Sequence, residues 1–294
     1  MENLIIHATI NEGLSRAECP SVPITPEEIA RDALACVEAG ATMVHFHARD
    51  PKTGEQLWLD TDLTAQAIRL IRKNSKVPVY LPYPGSRMGV QGPIRFSHVV
   101  TLAKDPTVRL DLAVFNPGAW LISKYDKKKK QFQNPDAAMV HPHADATYFL
   151  QTCRELGIAP MLGLGDAGMV RHVEAYLDMG LLKEPVFVKY VFFGDVPSGL
   201  PPTTRGLEIF EELMRGIRHR WIVQAPIGNY WPFLNASLPL GGHVRAGVGD
   251  TLADEQGKPA TSVELIDAVV RKAKALRRSV ANVIEAREIL GLKS

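Results

Sequence analysis

Short runs of β-branched and aromatic residues alternate along the chain with longer stretches whose apolar positions recur every three or four residues. These two patterns mark buried strands and amphipathic helices. The first pair is a strand over 4–9 and a helix over 26–39. The start of that helix is encoded locally. Thr25 suits the N-cap, Pro26 takes the first helical position, where its missing N–H costs nothing, and Glu28 closes a capping box. Gly40 then ends it.

The same rhythm predicts strands over 42–47, 77–81, 111–115, 159–164, 185–193, 220–225 and 242–248. The intervening helices fall over 61–73, 93–103, 144–156, 167–179, 204–217, 231–237 and 261–276. Eight consecutive β-then-α units in a chain near the ~250 residues typical of the fold predict an α/β protein, a (β/α)8 TIM barrel in a single domain. Residues 116–140 interrupt the rhythm. Pro117, Gly118, the Lys127 to Lys130 run and Pro135 suggest a long exposed excursion, either a loop or a short hairpin. A last helix over 280–290 is an extra element, with Val280, Val283, Ile284 and Ile289 placed to pack on the barrel or on a second subunit.

Composition narrows the function classes. The chain has 294 residues, 46% hydrophobic and 22% charged, enough apolar surface for a real core. Its 34 Lys plus Arg against 32 Asp plus Glu leave a net charge of +2, which gives no electrostatic reason for a nucleic-acid partner; one tetralysine makes no extended basic face. No long apolar span and no signal-peptide pattern are present, so the expectation is a soluble, cytoplasmic protein without a membrane partner. Cys19, Cys36 and Cys153 are odd in number and widely spaced, which suits reduced structural thiols. Neither a dinucleotide-binding glycine fingerprint nor a P-loop occurs.

A barrel puts its chemistry at the carboxyl ends of the strands. His45-Phe46-His47 ends the second strand, and the strand period of 2 puts both imidazoles on one face, where they can converge on one cation. The alternative is a pair of hydrogen-bonded core histidines. A catalytic zinc site needs a third protein ligand, and Glu12, Asp166 and Asp250 all stand at the same barrel face; the spacing leaves all three open. The glycine-rich strand Gly241-Gly242-His243-Val244-Arg245-Ala246-Gly247-Val248-Gly249-Asp250 delivers Arg245, suited to a carboxylate, and Asp250, suited to accept a proton. An internal ion pair bracing the barrel is the competing reading. Asn116, Tyr83, Ser86 and Asp166 sit at strand ends or in the loops that follow and are candidate pocket residues. His141-Pro142-His143 reads as a solvated turn rather than a second metal pair.

The opening strand followed by Pro23-Ile24-Thr25-Pro26-Glu27-Glu28, then Glu38-Ala39-Gly40-Ala41, His45-Phe46-His47-Ala48-Arg49 and Gly241-Gly242-His243-Val244-Arg245-Ala246-Gly247, closely resembles the β-keto acid cleavage enzymes. The likeness runs on into Thr261-Ser262-Val263-Glu264-Leu265 and so covers nearly the whole chain. It implies a zinc-dependent barrel that condenses a β-keto acid with acetyl-CoA and cleaves the adduct to acetoacetate and a new CoA ester. By the same resemblance His45 and His47 bind Zn2+, Arg245 and Asp250 are catalytic, and the protein is a homo-oligomer, possibly a tetramer.

Three positions depart from the family pattern. Gly249 stands where a glutamate zinc ligand is expected, Pro82-Tyr83-Pro84-Gly85 replaces a Ser-Thr-Gly-Gly stretch, and the substrate-binding glutamate falls near Gly13, with Glu12 adjacent. A different keto acid is therefore expected. The rival readings are a metal-dependent aldolase or hydrolase that needs no CoA, and a ligand-binding barrel that has lost its metal.

Overall fold

The computed structural model describes residues 1–84, 91–225 and 229–292. Its strands are β1 (Ile6–Thr9), β2 (Met43–His45), β3 (Val79–Tyr80), β4 (Leu112–Phe115), β5 (Gly118–Leu121), β6 (Lys124–Asp126), β7 (Gln131–Gln133), β8 (Ala138–His141), β9 (Ala159–Leu164), β10 (Val186–Val191), β11 (His219–Gln224) and β12 (His243–Ala246). Its helices are α1 (Pro26–Glu38), α2 (Thr61–Arg72), α3 (Gly92–Arg95), α4 (Ser97–Ala103), α5 (His143–Leu156), α6 (Gly168–Asp178), α7 (Thr204–Leu213), α8 (Trp231–Ser237), α9 (Ser262–Ala275) and α10 (Val283–Ile289).

Eight strands form one parallel sheet in the order β3-β2-β1-β12-β11-β10-β9-β4, and β3 and β4 adjoin at the seam. This is the (β/α)8 barrel the alternation predicts. Every residue of β1, β2, β4 and β10 is buried, as expected of strands covered by helices outside and by packed side chains within. Register then fixes what meets at the catalytic end: Thr9 of β1 lies opposite His45 of β2, and His7 lies opposite Arg245 of β12.

Local signals set the helix starts. The Thr25 side chain accepts the Glu28 N–H at 3.2 Å, and Glu28 Oε2 accepts the Thr25 N–H at 3.1 Å, the reciprocal box that the sequence predicts. The single helix expected over 93–103 is instead two short ones, α3 and α4, divided at Phe96 with φ −106° and ψ 8°. Tertiary packing overrides the helical period there. The Phe96 ring is buried against Phe149 and Phe115, at centroid distances of 4.9 and 5.7 Å, and Arg95 turns inward to the Pro84 carbonyl.

The excursion is built from two antiparallel pairs, β5 with β8 and β6 with β7. The lysine run forms the exposed tip of the second pair, where Asp126 Oδ1 accepts the N–H groups of Lys128 and Lys129 at 2.9 and 3.0 Å. The His141-Pro142-His143 segment is not the solvated turn expected. His141 ends β8, buried, with Nδ1–H donating to the Asn116 carbonyl at 2.6 Å, while His143 begins α5. Strand pairing with β5 pulls His141 inward, a non-local contact its own neighbours do not encode.

Helix α10 is shorter than 280–290 and packs on its own barrel, at the end where the strands begin. Leu4 bridges Val280, and Asp111 accepts from Arg287 and Arg72, each at 2.8 Å. All three cysteines are buried and free. Among the described residues no helix is long and apolar enough to cross a membrane.

Candidate metal centre and active-site cavity

A cavity of about 560 Å³ occupies the end of the barrel where the strands finish, and Glu12, His45, His47, Tyr80, Lys189 and Arg245 are among its polar lining, with Asn116, Lys124, Asp195 and Gln224. His45 is the last residue of β2 and His47 lies two residues on, so both rings turn inward as the period of 2 requires. Glu12 reaches them from the loop after β1.

Three donor groups meet there. His45 Nε2 and His47 Nε2 lie 3.0 Å apart, Glu12 Oε1 is 3.4 Å from the first, and Glu12 Oε2 is 3.0 Å from the second. Ligands bound at about 2.0 to 2.1 Å to one tetrahedral ion would stand roughly 3.3 Å apart, so this spacing suits a shared cation. The protonation pattern suits it too. A carbonyl can only accept, so His45 Nδ1 carries its proton to the Tyr80 oxygen at 3.0 Å, leaving the Nε2 lone pair turned toward Glu12. Burial, partly offset by Glu12, pushes His45 down to about 4 and keeps the ring neutral. For Glu12 burial opposes ionisation, but His45, Arg245 and His47 outweigh it and hold the carboxyl well below its ordinary range. Two imidazoles and one carboxylate, the residue types that bind zinc, are thus present in a charge state ready for a divalent cation. Among the described residues this is the one cluster of histidine, cysteine and carboxylate groups arranged to hold a metal ion.

The backbone around the triad is held from outside. Asn11 Oδ1 accepts the His47 N–H at 2.8 Å, and Asn11 Nδ2 donates to the carbonyls of His47 and Pro23 at 3.0 and 3.1 Å. Glu12 adopts φ 39°, a left-handed conformation costly for a side-chain-bearing residue and typical of functional sites. Arg49 stabilises that turn by donating one amino group to the carbonyls of Asn11, Glu12 and Leu14. Gln56 lies against His47 Nδ1. Sequence pattern does not single out Asn11 and Gln56 as positioning residues; Arg49, within the His-Phe-His-Ala-Arg motif, is the available clue.

Glycine at 249 is explained by Glu12. A Cβ at that position would come within 2.5 Å of Glu12 Cγ and 3.1 Å of Thr9 Cβ, so the absence of a side chain is what lets Glu12 lie over the histidines. The carboxylate of the candidate metal centre comes from the loop after β1, while position 249 provides the space.

Arg245 and Asp250 form a buried pair: Nε donates to Oδ2 and Nη2 to Oδ1, both at 2.9 Å, and Nη1 donates to the Tyr80 hydroxyl at 3.1 Å. The same guanidinium also contacts Glu12. Burial raises the Asp250 carboxyl above its ordinary value, against the pull of Arg245. Arg245 borders the cavity, whereas Asp250 stands behind it. The internal ion pair that the sequence allows is thus present, and its arginine faces the cavity.

Tyr83 and Asn116 also line the cavity, with the Asn116 N–H donating to the Tyr83 hydroxyl at 3.0 Å. Ser86 lies outside the described residues. Asp166 is not brought to the triad. It belongs to a separate, more open cleft of about 710 Å³ beside His143 and His172 on the outside of the barrel, where its side chain accepts the Gly168 N–H at 2.8 Å. Gly163 permits the Asn116 position, because a Cβ there would fall 1.9 Å from Asn116 Oδ1. Gly163→Ala is expected to cost about 1 to 3 kcal/mol of stability and to displace the Asn116 side chain, checked by denaturant titration and a crystal structure of the variant.

Lys189 is a further cavity residue that motif and spacing do not point to. Its signal in the sequence is one lysine inside Val186-Phe187-Val188-Lys189-Tyr190-Val191, a run otherwise apolar or aromatic and buried throughout. Burial, with the Arg245 charge nearby, pushes Lys189 from 10.5 down to about 7. The unfolded chain therefore binds more protons than the folded one across that window, and wild-type stability rises with pH through it. Lys189→Met is expected to stabilise the protein most at pH 7 and below, on the order of several kcal/mol, with the gain vanishing near pH 10.5; melts across this range check it.

Comparison with known proteins agrees with this architecture. The model of the beta-keto acid cleavage enzyme family matches residues 3–292. The 3-keto-5-aminohexanoate cleavage enzyme of Fusobacterium nucleatum subsp. nucleatum is 29% identical over 297 residues, covering 100% of this chain and 99% of its own. The 3,5-dioxohexanoate:acetyl-CoA acetone transferase of Paraburkholderia graminis is 27% identical over 288 residues, covering 93% and 90% of the two chains. Among solved structures, ObcA in binary complex with oxaloacetate matches with a TM-score of 0.71 at 16% identity, over 94% of this chain and 68% of ObcA, a likeness of fold.

Proposed function

The chain belongs to the β-keto acid cleavage enzyme family, and from that premise we propose that it is a zinc-dependent enzyme exchanging acyl groups between a β-keto acid and acetyl-CoA. The products are acetoacetate and a new CoA ester, formed by Claisen condensation and retro-Claisen cleavage. The observation that carries this reading is the convergence of Glu12, His45 and His47 at the catalytic end of the barrel.

Those three residues would hold the zinc ion, which would supply Lewis-acid polarisation of the substrate ketone and stabilise negative charge developing during C–C cleavage. The chain's other groups supply position and protons. Arg245 fixes the Glu12 carboxylate through their contact and keeps Asp250 ionised, while burial makes Asp250 a stronger base than an exposed aspartate. Asp250 helps to move the proton of the reacting carbon, and because it stands behind the cavity it does so through Arg245, which borders it. Trp58, Tyr83 and Trp120 wall the cavity and exclude water, which protects the acyl group from hydrolysis. The excursion bears exposed Leu121 and Phe132, which suit a homo-oligomer contact.

Incubation of zinc-loaded protein with acetyl-CoA and a panel of β-keto acids tests the proposal. A new CoA ester and acetoacetate in equal amounts, dependent on both substrates, are expected. Cleavage without CoA ester would replace the reading with an aldolase or hydrolase, and binding without turnover would leave a ligand-binding barrel.

A further inference from the structure

Resting on the reaction proposed above, we propose that Lys189, with Asn116 beside it, is the receptor for a carboxylate at the far end of the β-keto acid. The enzyme then selects substrates with two acidic groups over those with an alkyl or cationic tail.

Lys189 is only 7% exposed, yet among the described residues no hydrogen bond or ion pair joins its ammonium group. Lysines buried to this degree are almost always paired, because an isolated charge out of water is costly. The nearby carboxylates are already committed: Asp250 is held by both arms of Arg245, and Glu12 by Arg245 and the two histidines. Asp195, the remaining carboxylate lining the cavity, is paired with Lys124 at 2.9 Å, so an anionic partner for Lys189 is left to a ligand.

Its position says which end of a ligand it meets. Strand β10 is four places from β2 in the eight-stranded sheet, so Lys189 faces the cavity from the wall opposite the histidines. A substrate whose keto group lies at the triad extends across the barrel toward it. A Cβ built on Gly163 would fall 3.5 Å from Lys189 Cε and 1.9 Å from Asn116 Oδ1, which sets the lysine stem and the carboxamide side by side. Asn116 Oδ1 is itself buried without a hydrogen-bond partner. The carboxamide oxygen only accepts, so it is placed to orient the Lys189 ammonium rather than to meet the carboxylate itself, and the same cavity is lined by the apolar Val114, Trp120, Val191 and Phe193. In such surroundings one charge pair is strong, and a second cation is repelled.

The test compares three acceptors of equal chain length with acetyl-CoA: 3-oxohexanedioate, 3-oxohexanoate and 5-amino-3-oxohexanoate. Wild type is expected to favour the diacid over the alkyl acid by about 10- to 100-fold in kcat/KM, with the ammonium acid poorest. Lys189→Met is expected to remove that preference, mainly through KM, with the diacid losing far more of its kcat/KM than the alkyl acid. A wild-type preference for the alkyl or ammonium acid overturns the proposal, as does an equal loss for all three in the variant. The wild-type ranking decides even if the variant fails to fold. Tryptophan-fluorescence titration with glutarate, which cannot react, separates this proposal from the reaction itself. If no acid is turned over, the reaction reading fails, while tighter binding of glutarate than butyrate, lost in Lys189→Met, still upholds the receptor. Equal binding of the two sinks it.

Discussion

Arg245→Met should destabilise the barrel by about 3 to 5 kcal/mol, a loss measurable as a lower denaturant midpoint. The side chain is fully buried and neutralises two carboxylates, Asp250 through paired 2.9 Å bonds and Glu12 through its other contact. Methionine replaces the stem and leaves Asp250, whose side chain is 2% exposed, without its counter-charge. The sign of the pH dependence follows. In the variant the Asp250 carboxyl moves further above its unfolded value, so stability is retained at low pH and lost as pH rises through the carboxyl range. The deficit against wild type is therefore largest at neutral pH and shrinks on acidification. Adding Asp250→Leu should restore much of the stability, since replacing both members of a buried pair is far cheaper than removing one, but not the activity. A single-variant loss under about 1 kcal/mol would show that the pair is not the brace described.

The second large effect is His45→Ala. Removing one of three ligands is expected to abolish stoichiometric zinc and to lower acyl exchange by on the order of 10³-fold, the several kcal/mol a metal ion supplies to a developing enolate. The fold should survive, because the ring borders a cavity and its loss opens that cavity further, so circular dichroism should match wild type. Full turnover by metal-free His45→Ala protein would contradict the assignment.

Much of this molecule is legible in the order of its residues. The barrel follows from eight apolar runs separated by amphipathic ones, and the inward pairing of His45 and His47 follows from strand periodicity alone. What the sequence leaves open are contacts between distant segments. Glu12, Asp166 and Asp250 are equivalent as candidate ligands until register sets β1 beside β2 and puts Asp166 on the outer cleft. Gly249 reads as a missing ligand until its close approach to Glu12 is seen, and then it reads as the room Glu12 needs. The break at Phe96 and the burial of His141 have the same cause, aromatic and strand contacts made far along the chain. Lys189 is visible as a charge in an apolar strand, but that it lacks a partner is a property of the folded cavity.

The most direct test is equilibrium titration of metal-free protein with zinc, in wild type and in Glu12→Gln. The account predicts one site per chain in wild type and affinity weakened about 10- to 100-fold or more when the Glu12 carboxylate is neutralised. Absence of a stoichiometric site in wild type, or unchanged affinity in Glu12→Gln, would contradict it.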